Sequence, residues 1–422
     1  MVSNQLSTAN SASQVFQSSS IENGFDYDIA IVGGGIIGAT LACALKDSGL
    51  RIVLLEARPD SVAVAKGQAY AISLLSSRVF QGMGLWEEIL PQIATFDHIQ
   101  LSDADYPGIV RFAPQDLGTE NLGYVAEHQV LLKVLQSSLR KKASITELCP
   151  AEVVKVKYGT EGAELEVAIA GEKQQLRTRL VVAADGARSP IRSAAGITTH
   201  GWQYWQSCIA CIVKPEKPHS DTAYERFWPS GPFAILPLPN NLCRIVWTAP
   251  HAEAQAMAAL DDEQFLAELK QRYGDQMGAL SLVGGRFVFP VKLMQSDRYV
   301  LSRLALVGDA AHCCHPVGGQ GLNLGIRDAA ALAQVLQTAF EQGEDIGDLR
   351  VLKRYERWRQ RENLTILGFT DFLDRCFSNH WWPLVVIRRL GLWLLSSVPP
   401  CKVFALRLMT GLSGRLPQLA QH

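Results

Sequence analysis

Residues Tyr27 to Gly38 read YDIAIVGGGIIG, and this stretch decides the fold. Its mostly apolar first half predicts a buried strand, and the pattern G-x-G-x-x-G at Gly33, Gly35 and Gly38 follows directly. A helix over residues 39–48 and a second apolar strand over 52–55 come next, and that strand ends in Glu56. An acid at this distance from the glycines can accept hydrogen bonds from a ribose hydroxyl, so the unit predicts dinucleotide binding. The alternative is a βαβ unit whose glycines serve packing alone.

Two later apolar runs also deliver an acid and a glycine at a strand end. RLVVAA at residues 179–184 leads into Asp185 and Gly186, and LALV at 304–307 leads into Gly308 and Asp309. Ligands of open α/β sheets bind at the carboxyl ends of the strands, so the three segments are expected to converge.

The last of these segments continues into a glycine cluster and a helix. Gly318, Gly319 and Gly321 allow the backbone to approach a ligand closely, and the helix expected from Leu322 onward points its N-terminus at the same place. Taken alone, this run is also compatible with an ordinary glycine-rich connection between a strand and a helix.

Composition limits the class of protein. A formal net charge of -1 argues against a nucleic-acid partner. The sequence contains no run of about 18 uninterrupted apolar residues, so no transmembrane helix is predicted. Nine scattered cysteines indicate reduced thiols. The Ser-rich, Asn-rich and Gln-rich start lacks the charged and apolar parts of a targeting signal. These features predict a cytoplasmic protein with a disordered tail over residues 1–25.

The middle and the end of the chain differ from the start. Residues 71–82 look helical, and from about Trp202 to Phe289 five short strands and one helix, residues 262–273, predict a β-rich region. Two helical stretches, 350–378 and 382–411, are expected to close the chain.

Three motifs together resemble a known family. They are GGGIIG at residues 33–38, AADGARSPIR at 183–192 and GDAAHCCHPVGGQGLNLGIRDA at 308–329. The combination resembles the FAD-dependent aromatic hydroxylases of the para-hydroxybenzoate hydroxylase fold. Within them it is most similar to the hydroxylases that act on prenylated phenols in ubiquinone biosynthesis. The resemblance implies a single-component monooxygenase with FAD as cofactor, NADPH or NADH and O2 as co-substrates, and a lipophilic phenol of the ubiquinone or plastoquinone type as substrate.

The resemblance also implies an architecture. The fold class is α/β, with a Rossmann-like three-layer FAD-binding domain, an inserted β-sheet substrate domain of the α+β kind, and C-terminal helices. We expect the FAD-binding domain to comprise residues 26–100, 120–200 and 285–345. The substrate domain should comprise 100–120 and 201–285, and the C-terminal helical region 346–422.

Transferred motif by motif, the resemblance gives a set of expected cofactor-binding residues. The first glycines would hold the pyrophosphate, Glu56 the adenosine ribose, Asp309 the ribityl or pyrophosphate, and the segment after Gly319 the isoalloxazine ring. Asp185 and Gly186 would contact both FAD and the nicotinamide donor. The full set is Gly33, Gly35, Ile36, Ile37, Gly38, Glu56, Gln129, Asp185, Gly186, Gly308, Asp309, Pro316, Gly319, Gly321, Leu322 and Asn323.

The chain departs from the family pattern at two places. Gln68 stands where the family usually has Arg, and His128-Gln129 follows Glu127 where Asn-Arg is common. Contacts that those arginines make to phosphate or to the ring are therefore in doubt here.

The sequence identifies no general base, because flavin carries the difficult chemistry in this family. His312 and His315 are the available candidates, although a structural role is the better interpretation of each. His312-Cys313-Cys314-His315 does not predict a metal site, since consecutive residues cannot easily converge on one ion. Cys208 and Cys211 form C-x-x-C in a strand, where they would point to opposite faces.

Residues 381–411 are apolar and aromatic, and Pro383, Pro399 and Pro400 interrupt them. They predict helices that lie at a membrane interface, with a helical pair packed on the protein's own core as the alternative. The expected partners are therefore a membrane surface or a quinone-biosynthesis complex. Other functions remain open: a flavoprotein reductase or epoxidase acting on an isoprenoid, or a non-catalytic carrier of prenylated ligands. A flavoprotein halogenase is disfavoured, because the W-x-W-x-I-P sequence of that group is missing. Trp202 and Trp205 are instead spaced W-x-x-W.

Overall fold

The computed structural model describes residues 24–59, 68–104, 106 and 108–421. Strands β1 to β19 and helices α1 to α11 are numbered along this part of the chain. The predicted tail, residues 1–25, lies outside the described residues except for Gly24 and Phe25.

A mixed sheet of eight strands forms the first layer, with the order β17-β18-β11-β1-β2-β8. Strands β18, β11, β1, β2 and β8 run parallel, and the hairpin β9-β10 extends from β11. The strands are β1 Tyr27–Val32, β2 Ile52–Leu55, β8 Ile145–Leu148, β9 Ala151–Tyr158, β10 Ala163–Ile169, β11 Glu172–Ala183, β17 Val300–Leu301 and β18 Leu304–Leu306.

Helix α1 lies between α8 and α4 and packs on this sheet through an apolar core. The core includes Leu41 of α1, Leu131 of α4 and Leu332 of α8, all fully buried. The helices that belong to this half are α1 Ile36–Ala44, α2 Leu74–Gly82, α3 Trp86–Ile89, α4 His128–Leu139, α5 Pro190–Ala194 and α8 Gln320–Glu341.

A second eight-stranded sheet has the order β19-β16-β12-β15-β14-β13-β5-β6 and is antiparallel except where β13 pairs with β5. Its strands are β5 His98–Asp103, β6 Ile109–Phe112, β12 Thr199–Pro215, β13 Thr222–Trp228, β14 Gly231–Leu238, β15 Leu242–Pro250, β16 Leu280–Ser296 and β19 His312–Cys313. Strands β3 Ala69–Ile72, β4 Ala94–Phe96 and β7 Gly123–Glu127 form a small third sheet.

The large second sheet has two apolar faces. Its outer face carries Ile245 and Trp247 and packs on Phe265 of α7. The other face, called the inner face below, carries Ala223 and Phe227 and packs on Val125 of the small sheet, Val317 and Phe377. The helices of this half and of the C-terminus are α6 His251–Ala259, α7 Asp262–Tyr273, α9 Leu349–Phe377, α10 Trp382–Ser397 and α11 Pro399–Met409.

Several predicted elements were wrong in their bounds. Residues 71–82 are not one helix, because β3 pairs with β7 before Ser73 caps α2. The expected strand 286–289 is part of the longer β16, which its pairing with β12 holds together across glycines that locally suggest a turn. Helix α1 begins at Ile36, inside the glycine motif.

The C-terminal stretch 382–411 is broken at Val398, because two prolines at the start of α11 cannot continue the preceding hydrogen-bond ladder. Among the described residues no single helix has the length and apolar character to cross a bilayer. Helices α10 and α11 pass that test only as a pair, with a bend of 101° between them. The expected division into domains is not tested by these features and stays a prediction.

A buried carboxylate in α8 joins the first sheet to the long helix α9. Asp328 accepts hydrogen bonds from the Gly308 backbone at 3.2 Å and from His312 Nε2 at 2.6 Å. It also accepts from Arg359 Nε at 2.8 Å and from Asn363 Nδ2 at 3.0 Å. Burial by itself would raise the pKa of Asp328, but the interactions with His312 and Arg359 outweigh it and lower the pKa to about 2.

The substitution Asp328→Asn is therefore expected to lower the free energy of unfolding by about 3–5 kcal/mol at pH 7, since it leaves the buried Arg359 without its carboxylate. Because the folded-state pKa lies below the unfolded value, this contribution is present above about pH 4. It should diminish as the pH falls toward 2. Urea unfolding at pH 7 and at acidic pH measures both effects. Asp262→Asn, which removes a surface partner of Arg286, is the matched control and should cost less than about 1 kcal/mol.

Candidate functional site

The register of the first sheet brings three loops to one edge. Val32 of β1 pairs with Leu55 of β2 and with Ala183 of β11, and Ala183 pairs with Leu306 of β18. The four strands thus end level with one another. The glycine turn, Glu56, Asp185 and the Gly308–Ala310 turn consequently lie at the same edge, as the sequence predicts.

The three glycines of the turn have different surroundings. Gly33 has φ +111°, and a Cβ there would lie 2.4 Å from the Ala184 carbonyl oxygen. A Cβ on Gly38 would lie 1.9 Å from the Gly33 carbonyl oxygen. Gly35, in contrast, has no atom within 4 Å of its Cβ position. The first and third glycines are needed for close packing, whereas the middle one faces free space at the start of α1.

Ile36 and Ile37 form the first turn of α1 and fix its position. Ile36 is buried, and Ile37 contacts Gly308 and Gly325, where any Cβ would collide with it or crowd it. The unpaired backbone N–H groups of this first turn therefore face the space beside Gly35, an arrangement that attracts phosphate.

Glu56 continues β2 and binds the glycine turn directly. Its Oε2 atom accepts a hydrogen bond from Gly34 N at 2.8 Å, and its Oε1 atom accepts one from Arg58 N at 2.9 Å. The carboxylate is held beside the glycine turn, where each oxygen keeps a lone pair for a further donor such as a ribose hydroxyl.

Asp309 carries a carboxylate that has no hydrogen-bond or ion-pair partner among the described residues. The residue is exposed to solvent, yet protein atoms surround it, as expected at the bottom of a cleft. Burial raises its pKa, and His312 and Lys292 only partly offset this. A carboxylate held in this way without a donor fits a ligand that brings hydroxyl groups, such as the ribityl chain of FAD.

Asp185 and Gly186 shape the neighbouring loop. Asp185 accepts a hydrogen bond from Ile191 N at 3.2 Å at the start of α5, and burial raises its pKa. Gly186 has φ +83°, which favours glycine. Arg192 joins this loop to the next one, because it donates to the carbonyl oxygens of Ala310 and Ala187. Only its place in the motif AADGARSPIR could have indicated this link.

The glycine cluster leads into α8. Pro316 begins a short turn, Gly318 and Gly319 have φ values of +68° and +62°, and α8 follows from Gln320, two residues before the expected start. A Cβ on Gly319 would lie 2.9 Å from that of Ala71, and one on Gly321 would lie 3.9 Å from Cys314 Sγ. The half-buried Leu322 packs against the core of the first sheet. The uncapped N–H groups of α8 face the same edge as α1.

The side chain of Asn323 binds groups of the protein itself. Its Oδ1 accepts from Ser73 N and Ser76 Oγ, each at 2.8 Å, and its Nδ2 donates to the Ala71 and Gly319 carbonyl oxygens. The amide thus ties α2 and β3 to the glycine cluster. A contact with flavin would have to come from its main chain.

Both candidate histidines bind protein groups. His312 donates to Asp328, and His315 Nδ1 accepts from Val317 N at 3.2 Å. His315 also packs edge-on against Tyr204, and burial lowers its pKa to about 3, so it is neutral. These contacts favour structural roles, while the catalytic assignment stays a prediction. Cys208 packs with Tyr204 and Cys211 with the outer-face core, so the two thiols lie on opposite faces.

The two departures from the family pattern meet at one tyrosine. The Tyr70 hydroxyl donates to Gln68 Oε1 at 2.8 Å and lies 3.2 Å from His128 Nδ1. Burial, together with the charge of Asp309, raises the pKa of Tyr70 to about 12. Gln129 donates to Glu127 at 2.9 Å at the start of α4. No sequence pattern indicated Tyr70, because only the fold places it between these segments.

The inner face of the second sheet covers this edge. Burial lowers the pKa of Arg244, while Tyr70 and Glu127 are among the groups that raise it. The pKa of Cys208 is raised to about 12, mainly by burial. Arg244 acts to lower this pKa, and Glu225 acts to raise it. Tyr70 thus lies close enough to both Asp309 and Arg244 for their charges to affect one another.

Comparison with known proteins agrees with this geometry. Residues 26–366 match the family model described as FAD binding domain. The chain belongs to the FAD-binding monooxygenase family. It is 38% identical over 383 residues to ubiquinone hydroxylase UbiL of Rhodospirillum rubrum, covering 90% of this chain and 88% of that protein. It is 54% identical over 394 residues to the uncharacterized protein slr1300 of Synechocystis sp., covering 93% and 95%.

A solved structure shares the fold. The p-nitrophenol 4-monooxygenase PnpA of Pseudomonas putida DLL-E4 superposes with a TM-score of 0.78 at 19% identity, covering 92% of this chain and 98% of that one. At this identity the likeness shows the fold alone. The expected α/β fold class and the expected cofactor, FAD, are confirmed.

Asp309→Ala is expected to weaken FAD binding by about 10- to 100-fold, since a hydrogen bond to a charged group contributes about 1.5–3 kcal/mol. The apoprotein should keep its stability, because the substitution removes a carboxylate that has no described partner. The flavin-to-protein absorbance ratio and a fluorescence titration with FAD measure the effect. Asp275→Ala, at an exposed pair with Lys270, is the control. Unchanged flavin occupancy in Asp309→Ala would contradict the placement of this segment.

Proposed function

We propose that this flavoprotein uses NAD(P)H and O2 to hydroxylate the ring of a prenylated phenol in quinone biosynthesis. One observation carries the proposal: an inner sheet face with a few polar groups in an apolar layer covers the edge where the FAD motifs converge. Such a space suits an aromatic ring with one polar substituent. The similarity to ubiquinone hydroxylase UbiL supports a quinone precursor as the substrate.

The residues that would hold FAD follow from the geometry. Gly35 and the first turns of α1 and α8 would bind the pyrophosphate, Glu56 the adenosine ribose and Asp309 the ribityl chain. Arg192 would keep the Asp185 and Asp309 loops together. The bound flavin supplies the activation of O2, and the protein supplies orientation and a dry surrounding.

Exclusion of water is the second task of the protein. The cluster that contains Val317, Phe227 and Leu392 seals the space from the side of α9 and α10. Phe227 stacks on Phe377 with ring centroids 3.9 Å apart. An apolar seal keeps reducing equivalents from being lost to uncoupled oxidation.

The test is oxygen transfer by purified, FAD-loaded protein. A prenylated phenol should accelerate NAD(P)H oxidation, and mass spectrometry should find one oxygen atom from labelled O2 on the ring. Oxygen on the side chain would instead indicate an epoxidase, and a reduced product without oxygen a reductase. Absence of any NAD(P)H oxidation by flavin-loaded protein would favour the non-catalytic carrier. No added oxygen with any prenylated phenol would contradict the proposal.

We further propose that the protein attaches to a membrane through an apolar surface on α10 and α11. Trp382 and Phe404 are 73% and 66% exposed, the largest values on this surface. The surface consists of Trp381, Trp382, Val386, Ile387, Leu390, Trp393 and Phe404. Positions 382, 386, 390 and 393 follow helical spacing along one side of α10.

A buried ion pair fixes the direction in which this surface points. Arg388 donates to Asp103 at 2.8 Å and to the Phe377 and Asn379 carbonyl oxygens, and it lies on the buried side of α10. Leu392 on the same side joins the cluster that contains Phe227 and Val317. The apolar surface therefore lies on the far side of the helix that covers the inner-face layer, which suits a substrate collected from a bilayer.

The double variant Trp382→Ser/Leu390→Ser is expected to bind vesicles at least about 100-fold more weakly, because each large apolar side chain contributes about 1.5–3 kcal/mol when buried. Flotation with phosphatidylcholine vesicles, with and without anionic phosphatidylglycerol, measures the binding. Val154→Ser/Val283→Ser removes two exposed apolar side chains elsewhere and should bind as the wild type does. Wild-type protein that stays entirely unbound would contradict the membrane proposal.

A further inference from the structure

Glu225 lies in the middle of β13, on the inner face of the second sheet. Its neighbours along the strand, Ala223 and Phe227, both belong to the inner-face cluster, and side chains at alternate positions share a face. Its carboxylate makes no hydrogen bond or ion pair with any residue that the structure describes. The residue is also only partly buried, so part of it remains accessible to solvent.

The residues that pair directly with Glu225 are apolar. Glu225 pairs with Ala234 on β14 and with Leu101 on β5. The side chains at 223 and 234 on the same face are alanines, and both are buried. Phe227, on this face as well, stacks on Phe377 of α9.

Burial raises the pKa of Glu225 to about 8, and no charged group offsets the effect. An unpaired carboxylate in an apolar layer costs stability, so proteins seldom keep one without a functional reason. A pKa near the working pH is also what a general base requires.

Other ionisable groups near this layer are already engaged or unsuitable. Tyr70 is bound by Gln68, and His315 is neutral and accepts from Val317 N. Asp374, on α9, accepts from Ser378. The remaining groups on the packed elements include Asp103 of β5, which pairs with Arg388 of α10, and Cys376 of α9. They also include Cys208, whose pKa is raised to about 12, Arg244 and Glu127.

We propose that Glu225 accepts the hydrogen bond, and then the proton, of the substrate's phenolic hydroxyl. The inference rests on the proposed function, since it assigns the group that activates the phenol.

The step balances within the proposed reaction. The phenolic O–H bond breaks, its proton passes to a carboxylate oxygen of Glu225, and the electron pair increases the electron density on the ortho and para carbons. A ring carbon then forms a C–O bond with one oxygen atom of O2. The other oxygen atom leaves as water, using the two electrons of NAD(P)H and two protons, one from NAD(P)H and one from solvent. The ring C–H proton passes through solvent to the newly bound oxygen, which becomes the new hydroxyl group, and the Glu225 proton returns to the phenolate oxygen.

The experiment compares wild-type holoenzyme with Glu225→Gln, using 2-prenylphenol as the probe. Wild-type kcat for ring hydroxylation should rise with pH and level off above about 8, since the carboxylate must be ionised. Glu225→Gln should lose this pH dependence and about 100-fold or more in kcat, while KM changes much less. Flavin content should remain at the wild-type value. Glu263→Gln, on the exposed start of α7, should match the wild type throughout.

Two readouts separate a catalytic role from a structural one. The ultraviolet difference spectrum should show bound phenolate in the wild type at pH 8.5 and bound neutral phenol in Glu225→Gln. A raised folded-state pKa makes Glu225 increasingly destabilising as pH rises from its unfolded value toward about 8. The variant should therefore melt at a higher temperature than the wild type at pH 9 and at a similar one at pH 5. A variant with lower stability at both pH values would indicate a structural role and overturn the inference.

Failure of this inference differs from failure of the proposed function. Wild-type kcat and pH profile in Glu225→Gln would overturn the inference and leave the hydroxylase proposal intact. If the wild type binds 2-prenylphenol but never transfers oxygen, the proposed function fails. The bound-phenolate spectrum then decides the inference by itself, since its presence in the wild type and absence in the variant supports it and equal spectra overturn it.

Discussion

The Asp328 carboxylate is buried in α8 and binds groups from three segments of the chain. It holds the turn at Gly308, the ring of His312 and, across the helix pair, Arg359 and Asn363 of α9. A buried ion is stable only when all its neighbours are in place, so these contacts form together or not at all. The turn that carries Asp309, the histidine-cysteine run and the long C-terminal helix are therefore fixed relative to one another by a single group.

Close backbone contacts supplement this ionic link. Gly33 leaves no room for a Cβ beside Ala184, and Gly308 and Gly325 both lie against Ile37. The three loops at the sheet edge are thereby held at van der Waals distance, and the helix starts of α1 and α8 face a shared space. The absence of a Cβ at these positions has two effects, since it permits the packing and keeps the edge open at Gly35.

The inner face of the second sheet packs beside the segment that carries the glycine cluster. This face is apolar except for a few groups, and the same layer continues to the underside of α10. The Arg388–Asp103 pair holds α10 so that its aromatic side faces away from the protein. The two sides of α10 therefore differ. One side packs on the inner-face cluster, and the other side carries the exposed apolar surface.

Sequence reasoning reached the parts of the site that depend on local pattern. The strand-glycine-acid runs at Gly33–Gly38, Asp185 and Asp309 could be found because strand periodicity and turn chemistry are encoded within a few residues. The level ends of the parallel strands then follow from sheet geometry. The apolar helices at the C-terminus could also be predicted, because prolines and a high content of apolar residues are local features.

Other features depend on contacts between distant residues and could not be read from neighbours in sequence. Residues 71–82 became a strand and a helix because β7 offers a pairing edge to β3. Asn323 serves the protein scaffold, since Ser73 and Ser76 come to it across 250 and 247 residues. The meeting of Gln68 and His128 at Tyr70 and the isolation of Glu225 likewise require the assembled sheets. Local sequence patterns were sufficient to indicate the residues that can form an FAD-type edge and an α/β fold. Which charged groups are paired, and which, such as Asp309 and Glu225, have no partner among the described residues, follows from the three-dimensional arrangement, because pairing depends on distances that the fold sets.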